Sequence, residues 1–260
     1  IGTVPCLPTE RKTMNIFFEE KNGTFHLQNR WFSYIMKILP NGQPGQLYFG
    51  KTVRHRASFD YLFEKASRVF SPSVDEEDPQ FSMEQARQEF PSAGAGDFRQ
   101  PAVTVLQQNG SRISGFAYEG HQILPGKPAL EGLPATYTEN DAEAQTLQIH
   151  LLDTLTGVRA TLFYTVFEDY PALARSVRFE NGGGQAVWLD TAMSLSLDLP
   201  DAEYQMLQLS GAWCRERFVH ASPLRIGVQS IGSQRGTSSH HNNPFLVLKR
   251  PHTGERQGEA

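Results

Sequence analysis

A chain of 260 residues with 39% hydrophobic and 20% charged content can bury a sizeable core, which excludes an intrinsically disordered polyelectrolyte. Its formal net charge is −4 and no Lys/Arg stripe runs along it, so a nucleic acid is not an expected partner. No apolar run approaches the roughly 20 residues that span a bilayer, and no membrane partner is expected either.

The 22 glycines and 16 prolines, among many Phe, Tyr, Val and Leu, favour strands joined by turns. The two cysteines, Cys6 and Cys214, have no metal-ligand spacing. They fit free thiols in a reducing, cytoplasmic setting better than a disulfide framework. The opening Ile-Gly-Thr-Val-Pro-Cys-Leu-Pro lacks the charged and apolar regions of a secretory signal. Residues 1–13 read as a leader or linker in a piece of a longer chain.

From Asn15 the pattern is extended. Ile16-Phe-Phe-Glu and Thr24-Phe-His-Leu-Gln28 flank Asn22-Gly23, a strong short hairpin signal. Trp31-Phe-Ser-Tyr-Ile-Met-Lys-Ile-Leu39 and Gln46-Leu-Tyr-Phe-Gly50 extend this to an antiparallel meander. Residues 51–101 are irregular. Their run Phe90-Pro-Ser-Ala-Gly-Ala-Gly-Asp-Phe-Arg99 is glycine-rich but lacks the Gly-Lys-Ser/Thr ending of a phosphate loop.

Strands resume at Val103-Thr-Val-Leu106, turn at Asn109-Gly110 and continue from Ile113 towards Leu124. Leu147, Ile149 and Leu151 share one strand face. In the following strand Val158, Ala160, Leu162, Tyr164 and Val166 share a face, with Arg159, Thr161 and Thr165 directed away. A second hairpin is predicted from Leu173-to-Glu180, the turn Asn181-Gly-Gly-Gly184 and the segment from Val187 to Leu199. Helical turns are expected only at 204–220 and 83–88. Period-2 order with one apolar face means half-buried antiparallel sheet. The predicted fold is all-β, a large antiparallel two-sheet β-supersandwich with little helix, spanning residues 14–260.

The alternation stops at Leu207-Gln-Leu-Ser-Gly-Ala-Trp-Cys-Arg-Glu-Arg217, which is followed by Arg235-Gly-Thr-Ser-Ser-His-His-Asn-Asn-Pro244. An indole face with Arg and Glu beside it suits a polyhydroxylated ligand or a partner surface. The competing reading of Trp213 is a packed structural residue. Arg215 next to Cys214 would lower a thiol pKa, whereas a small buried core thiol is the commoner outcome for such a cysteine. Asp198 and Asp201 are close enough in sequence for acid/base work, but beside Pro200 they read first as turn-forming and capping groups. Asp97 with Arg99 reads as a local salt bridge. His240 and His241 are adjacent and would point to opposite faces of a strand, so no metal and no cofactor are expected. The residues alone supply no catalytic constellation.

Several segments carry a resemblance: Gln46-Leu-Tyr-Phe-Gly-Lys51, Gln88-Glu-Phe-Pro-Ser-Ala-Gly-Ala-Gly-Asp-Phe-Arg99, Gly132-Leu-Pro-Ala-Thr-Tyr137 and Ala172-Leu-Ala-Arg-Ser-Val-Arg-Phe-Glu-Asn181. Arg235-Gly-Thr-Ser-Ser-His240 and Asn243-Pro-Phe245 add to it. Together they resemble the N-terminal domain of glycoside hydrolase family 36 α-galactosidases, from about Met14 onward. The resemblance implies a parent enzyme that removes terminal α-galactose from raffinose-type oligosaccharides with retention. It also implies a β-supersandwich preceding a (β/α)8 barrel that carries both catalytic aspartates. No Lys-Trp-Asp-type nucleophile motif occurs here, so this segment is expected to bind and assemble rather than hydrolyse.

By the same resemblance, the tryptophan of Gly-Ala-Trp-x-Arg-Glu-Arg reaches the galactose pocket, and that position is Trp213. An acidic sugar contact of some relatives precedes Arg-x-Phe-Ser-Pro; Ser67 stands there, and a hydroxyl cannot supply the carboxylate's charge-assisted hydrogen bond. The implied partners are α-galactosides, the chain's own downstream barrel and further copies in a homotetramer. The alternatives are a stand-alone carbohydrate-binding sandwich and a purely structural assembly domain.

Overall fold

The computed structural model describes residues 14–65, 74–75, 77–79, 81–94, 96–132, 135–235 and 241–254. Within these the chain is built from strands and three short 3-10 turns, at Glu20–Asn22, Asp60–Leu62 and Asp141–Glu143. It divides into two compact units, Ile1–Asp198 and Leu199–Ala260. Ser67, Cys6, His240 and the leader assigned to residues 1–13 lie outside the described residues.

In the first unit β1 (Asn15–Glu19), β2 (Thr24–Gln28), β3 (Phe32–Ile38) and β4 (Pro44–Lys51) form an antiparallel meander in sequence order. The β1–β2 connection closes on Gly23, whose φ of 59° is the left-handed conformation glycine adopts without a Cβ clash. After the irregular segment come β5 (Val103–Leu106), β6 (Phe116–Pro125), β7 (Ala144–Asp153), β8 (Val158–Phe167), β9 (Leu173–Asn181) and β10 (Trp188–Ala192). Strands β6 to β9 form the second four-stranded antiparallel sheet, again in sequence order.

The two meanders share one hydrophobic cluster. Phe25, Leu27, Tyr34 and Met36 from one sheet meet Leu147, Ile149, Leu151, Ala160, Leu162 and Tyr164 from the other. The alternation read in β7 and β8 is therefore the core face, as a sandwich requires. One detail of the prediction needs completing and one correcting. Thr161 and Thr165 are directed away from the core face, as read, yet do not reach solvent. They are buried on the opposite face, where the Thr165 hydroxyl lies 2.8 Å from that of Thr146 and the Thr161 hydroxyl 3.2 Å from His150 Nδ1. Nor do β9 and β10 form a hairpin. Strand β10 pairs antiparallel with β5, with a register shift between Leu189 and Thr191. A glycine run gives the chain a change of direction but does not specify which strand it rejoins.

Arg175 sits on the inward face of β9 with Leu173, Val177 and Phe179. Its guanidinium lies 3.1 Å from the carboxylate of fully buried Glu89 and donates to the hydroxyls of Tyr34 and Tyr164 at 3.2 Å each. Tyr164 donates to Glu89 at 2.9 Å, and Tyr34 donates to its other oxygen. Burial works against the charge on Arg175, but the facing Tyr164 and Glu89 more than restore it and hold the guanidinium above its ordinary range. Burial pushes both phenols well up. Such a fully partnered network tolerates burial, whereas losing one member strands a charge in a low dielectric. It links the segment at Glu89 to both sheets.

The second unit is a three-stranded antiparallel sheet of β11 (Gln205–Ala212), β12 (Arg215–Pro223) and β13 (Asn242–Lys249), in the order β12-β11-β13. The helical turn predicted over 204–220 is thus two strands and a tight hairpin. Near 83–88 there are turns but no helix.

Candidate functional site: the Trp213 hairpin

Trp213 and Cys214 form the two-residue tip of the β11–β12 hairpin, where Ala212 pairs with Arg215. The turn is closed by an unusual backbone. Cys214 has φ 63° and Arg217 φ 59°, the left-handed region that non-glycine residues rarely enter. Between the pairs Ser210–Phe218 and Ala212–Arg215 a single residue of β11, Gly211, opposes two of β12, Glu216 and Arg217. This is a β-bulge, a device that re-aims side chains at a strand end.

Gly211 is required by close approach. A Cβ there would lie 2.2 Å from the Arg215 carbonyl oxygen and 2.9 Å from Glu216 Cα, both backbone atoms. The Glu216 carboxylate accepts from the Cys214 amide at 2.8 Å and ties the tip to the bulge. The Arg-Glu-Arg cluster therefore braces the turn through Glu216, and both flanking arginines are exposed. Nearby on β11, the Ser210 hydroxyl lies 2.7 Å from His220 Nε2.

Trp213 is 79% exposed and engages no ring or cation–π partner among the described residues. Within the described residues, therefore, this tryptophan is not packed. The buried-thiol reading of Cys214 fails, because the cysteine is exposed at the tip. The tip thus presents a large indole whose position is set by a bulge, a left-handed residue and a carboxylate brace. Strain of this kind persists where surrounding structure over-determines it, and it clusters at functional sites.

The carboxylates considered for catalysis are engaged elsewhere. Asp198 accepts from the Gln88 amide at 2.9 Å and pairs with Arg99. Arg99 also lies 2.6 Å from Asp97, whose carboxyl burial pushes up. In the second unit Asp201 accepts from the Glu203 amide at 2.8 Å and from Arg250 at 2.5 and 3.0 Å, and the Arg250 pairing holds it below the usual carboxylate range. Among the described residues no group of three or more His, Cys, Asp or Glu is arranged to hold a metal. No helix of the described residues is long and apolar enough to cross a membrane. The bulge went unread in the sequence because its signal, a glycine two residues before a tryptophan, does not reveal a backbone approach.

The antiparallel sheets around a shared core place the first unit in the all-β sandwich class. The profile of the glycosyl hydrolase family 36 N-terminal domain matches residues 42–260. The chain belongs to this family. It is 43% identical over 247 residues to alpha-galactosidase AgaA of Geobacillus stearothermophilus, covering 95% of this chain and 34% of that protein. It thus spans about a quarter to a third of the length of the curated relatives it matches. The crystal structure of the alpha-galactosidase from Lactobacillus brevis superposes with a TM-score of 0.88 at 43% identity, over 92% of this chain and 32% of that one. An AgaA variant solved in complex with raffinose gives a TM-score of 0.83 at 43% identity, over 88% and 32% of the two chains.

Proposed function

We propose that this chain is the non-catalytic N-terminal part of a retaining α-galactosidase acting on raffinose-type oligosaccharides. Residues 14–260 would act as one N-terminal domain of the β-supersandwich kind, a reading supported by the family match running through both units. Trp213 forms one wall of the galactose pocket, and the two catalytic aspartates lie on a (β/α)8 barrel supplied by further sequence. One observation carries this reading: an almost fully exposed indole on a hairpin tip built to hold it in place. A flat apolar face of that kind covers the C–H face of a sugar ring, while the carboxylates do the chemistry elsewhere.

Ser67 is the weaker second contact, a hydroxyl where some relatives have a carboxylate. The full protein acts in a reducing, cytoplasmic setting, a reading supported by the exposed Cys214 thiol. Its partners are α-galactosides, its own barrel and, in a homotetramer, further copies of itself.

The test is Trp213→Ala in the full-length enzyme, assayed with raffinose. Loss of a stacking wall raises KM, and with it lowers kcat/KM, by about 10-fold or more. Unchanged KM and kcat would remove Trp213 from the pocket.

A further inference from the structure

In the first unit, one end of the β6–β9 sheet carries a cavity of about 560 Å³. It is lined by Phe167, the last residue of β8, by Tyr137 and Tyr170, and by Glu139, Glu143 and Asp169. Tyr137 is 80% and Tyr170 65% exposed, and neither ring stacks on another side chain among the described residues.

The walls are held by bonds made before any ligand arrives. The side chain of buried Asn29 donates to the carbonyls of both Phe167 and Tyr170, at 2.9 Å each, fixing the turn after β8. The Glu168 amide donates to the Glu143 carbonyl at 2.9 Å and couples that turn to the segment before β7. The Glu143 carboxylate accepts from the Glu139 amide at 3.1 Å and from the Asn140 side chain at 2.5 Å, fixing that segment in turn. Walls held in this way spare a ligand the cost of ordering them.

The chemistry of the lining narrows the ligand. Among the described residues no Lys, Arg or His lines the cavity, so an anion finds no charged partner there. Among the described residues the carboxylates do not converge into a group able to hold a metal ion. A cage for a lone ammonium group would also be far smaller, since a space of this size suits a ligand of several rings or a small oligomer. Two unstacked tyrosines fit the C–H faces of pyranose rings, and carboxylate and phenol oxygens fit hydroxyl donors.

We propose that this cavity is a binding site for a neutral saccharide, with Tyr137 and Tyr170 as stacking walls and Asp169 and Glu139 as hydroxyl acceptors. It makes no use of Trp213 and stands whether or not that residue contacts substrate.

The experiment is calorimetric titration of the full chain with raffinose, with maltose and spermidine in separate arms. Saturable binding of a neutral saccharide is expected, with a Kd of ~1–10 mM as befits a shallow, preformed site. Tyr137→Ala and Tyr170→Ala each weaken it by at least ~5-fold, the loss of one stacking surface. Both positions are exposed, so thermal melts of these variants should match the parent. Three results would overturn the proposal: no saturable saccharide binding by the folded chain, saccharide binding that Trp213→Ala removes and the tyrosine variants leave intact, or saturation by spermidine without saccharide binding.

Discussion

His26 on β2 is fully buried, with a partner at each ring nitrogen. The Ser33 hydroxyl accepts from the Val53 amide at 3.0 Å and lies 2.8 Å from His26 Nε2. His26 Nδ1 lies 3.2 Å from His55 Nδ1, and His55 Nε2 lies 2.9 Å from the Glu19 carboxylate. Burial, followed by the facing His55, lowers the His26 pKa from 6.5 to about 4. The sign follows. The unfolded chain takes up this proton near pH 6.5 and the folded chain only near 4, so stability is full above 6.5 and falls as pH drops through that window. The loss amounts to about 3 kcal/mol by pH 4. Urea denaturation at several pH values should show this slope. His26→Gln should be less stable at pH 7 yet flatter between pH 6.5 and 4.5. An equally steep profile in the variant would assign the slope to other groups.

At the scale of elements, the β11–β12 hairpin depends on the space left by one missing Cβ. Gly211→Ala would place a methyl group 2.2 Å from a backbone oxygen, and backbone cannot rotate away as a flexible side chain can. The bulge must open or β12 must shift, at a cost of roughly 1–3 kcal/mol. Amide exchange measured residue by residue should accelerate across β11 and β12, while β7 and β8 keep their protection. Uniform protection in both sheets would show that the bulge absorbs the methyl group. This hairpin also marks where strand periodicity ceased to be readable. Leu207 and Leu209 alternate correctly, but Gly-Ala-Trp-Cys-Arg-Glu-Arg has neither a period of two nor a glycine at the positive-φ positions. Cys214 and Arg217 hold those places instead, so a helical turn was expected. In β9 the signal was present: Arg175 stands in an alternating row with Leu173, Val177 and Phe179. A charge on an inward face requires a buried counter-charge, and Glu89 supplies it.

At the scale of the molecule, the two meanders and their core faces were legible because local turns fix neighbouring strands and alternation fixes the buried side. The β5–β10 pairing was not legible, since partners so far apart in sequence are chosen by packing rather than by any turn. Nor was the uneven distribution of core. All three clusters of buried hydrophobic residues lie in the first unit, whereas Met206 is the one buried hydrophobic residue described in the second. The first unit also ends on an anchored residue, since Asp198 is held by the Gln88 amide and Arg99. In the second unit residues 225–235 are irregular and almost wholly exposed, with Ile226 and Val228 at 109% and 94%. Local stability follows buried apolar contact, so the second unit should open far more often than the first. Limited proteolysis should therefore cut between 225 and 235 before cutting anywhere in β1 to β9. A chain ending at Asp198 should keep a cooperative melt and its near-ultraviolet circular dichroism, because no member of the three clusters is removed. Loss of that signal in the shortened chain would show that the first core depends on the second unit.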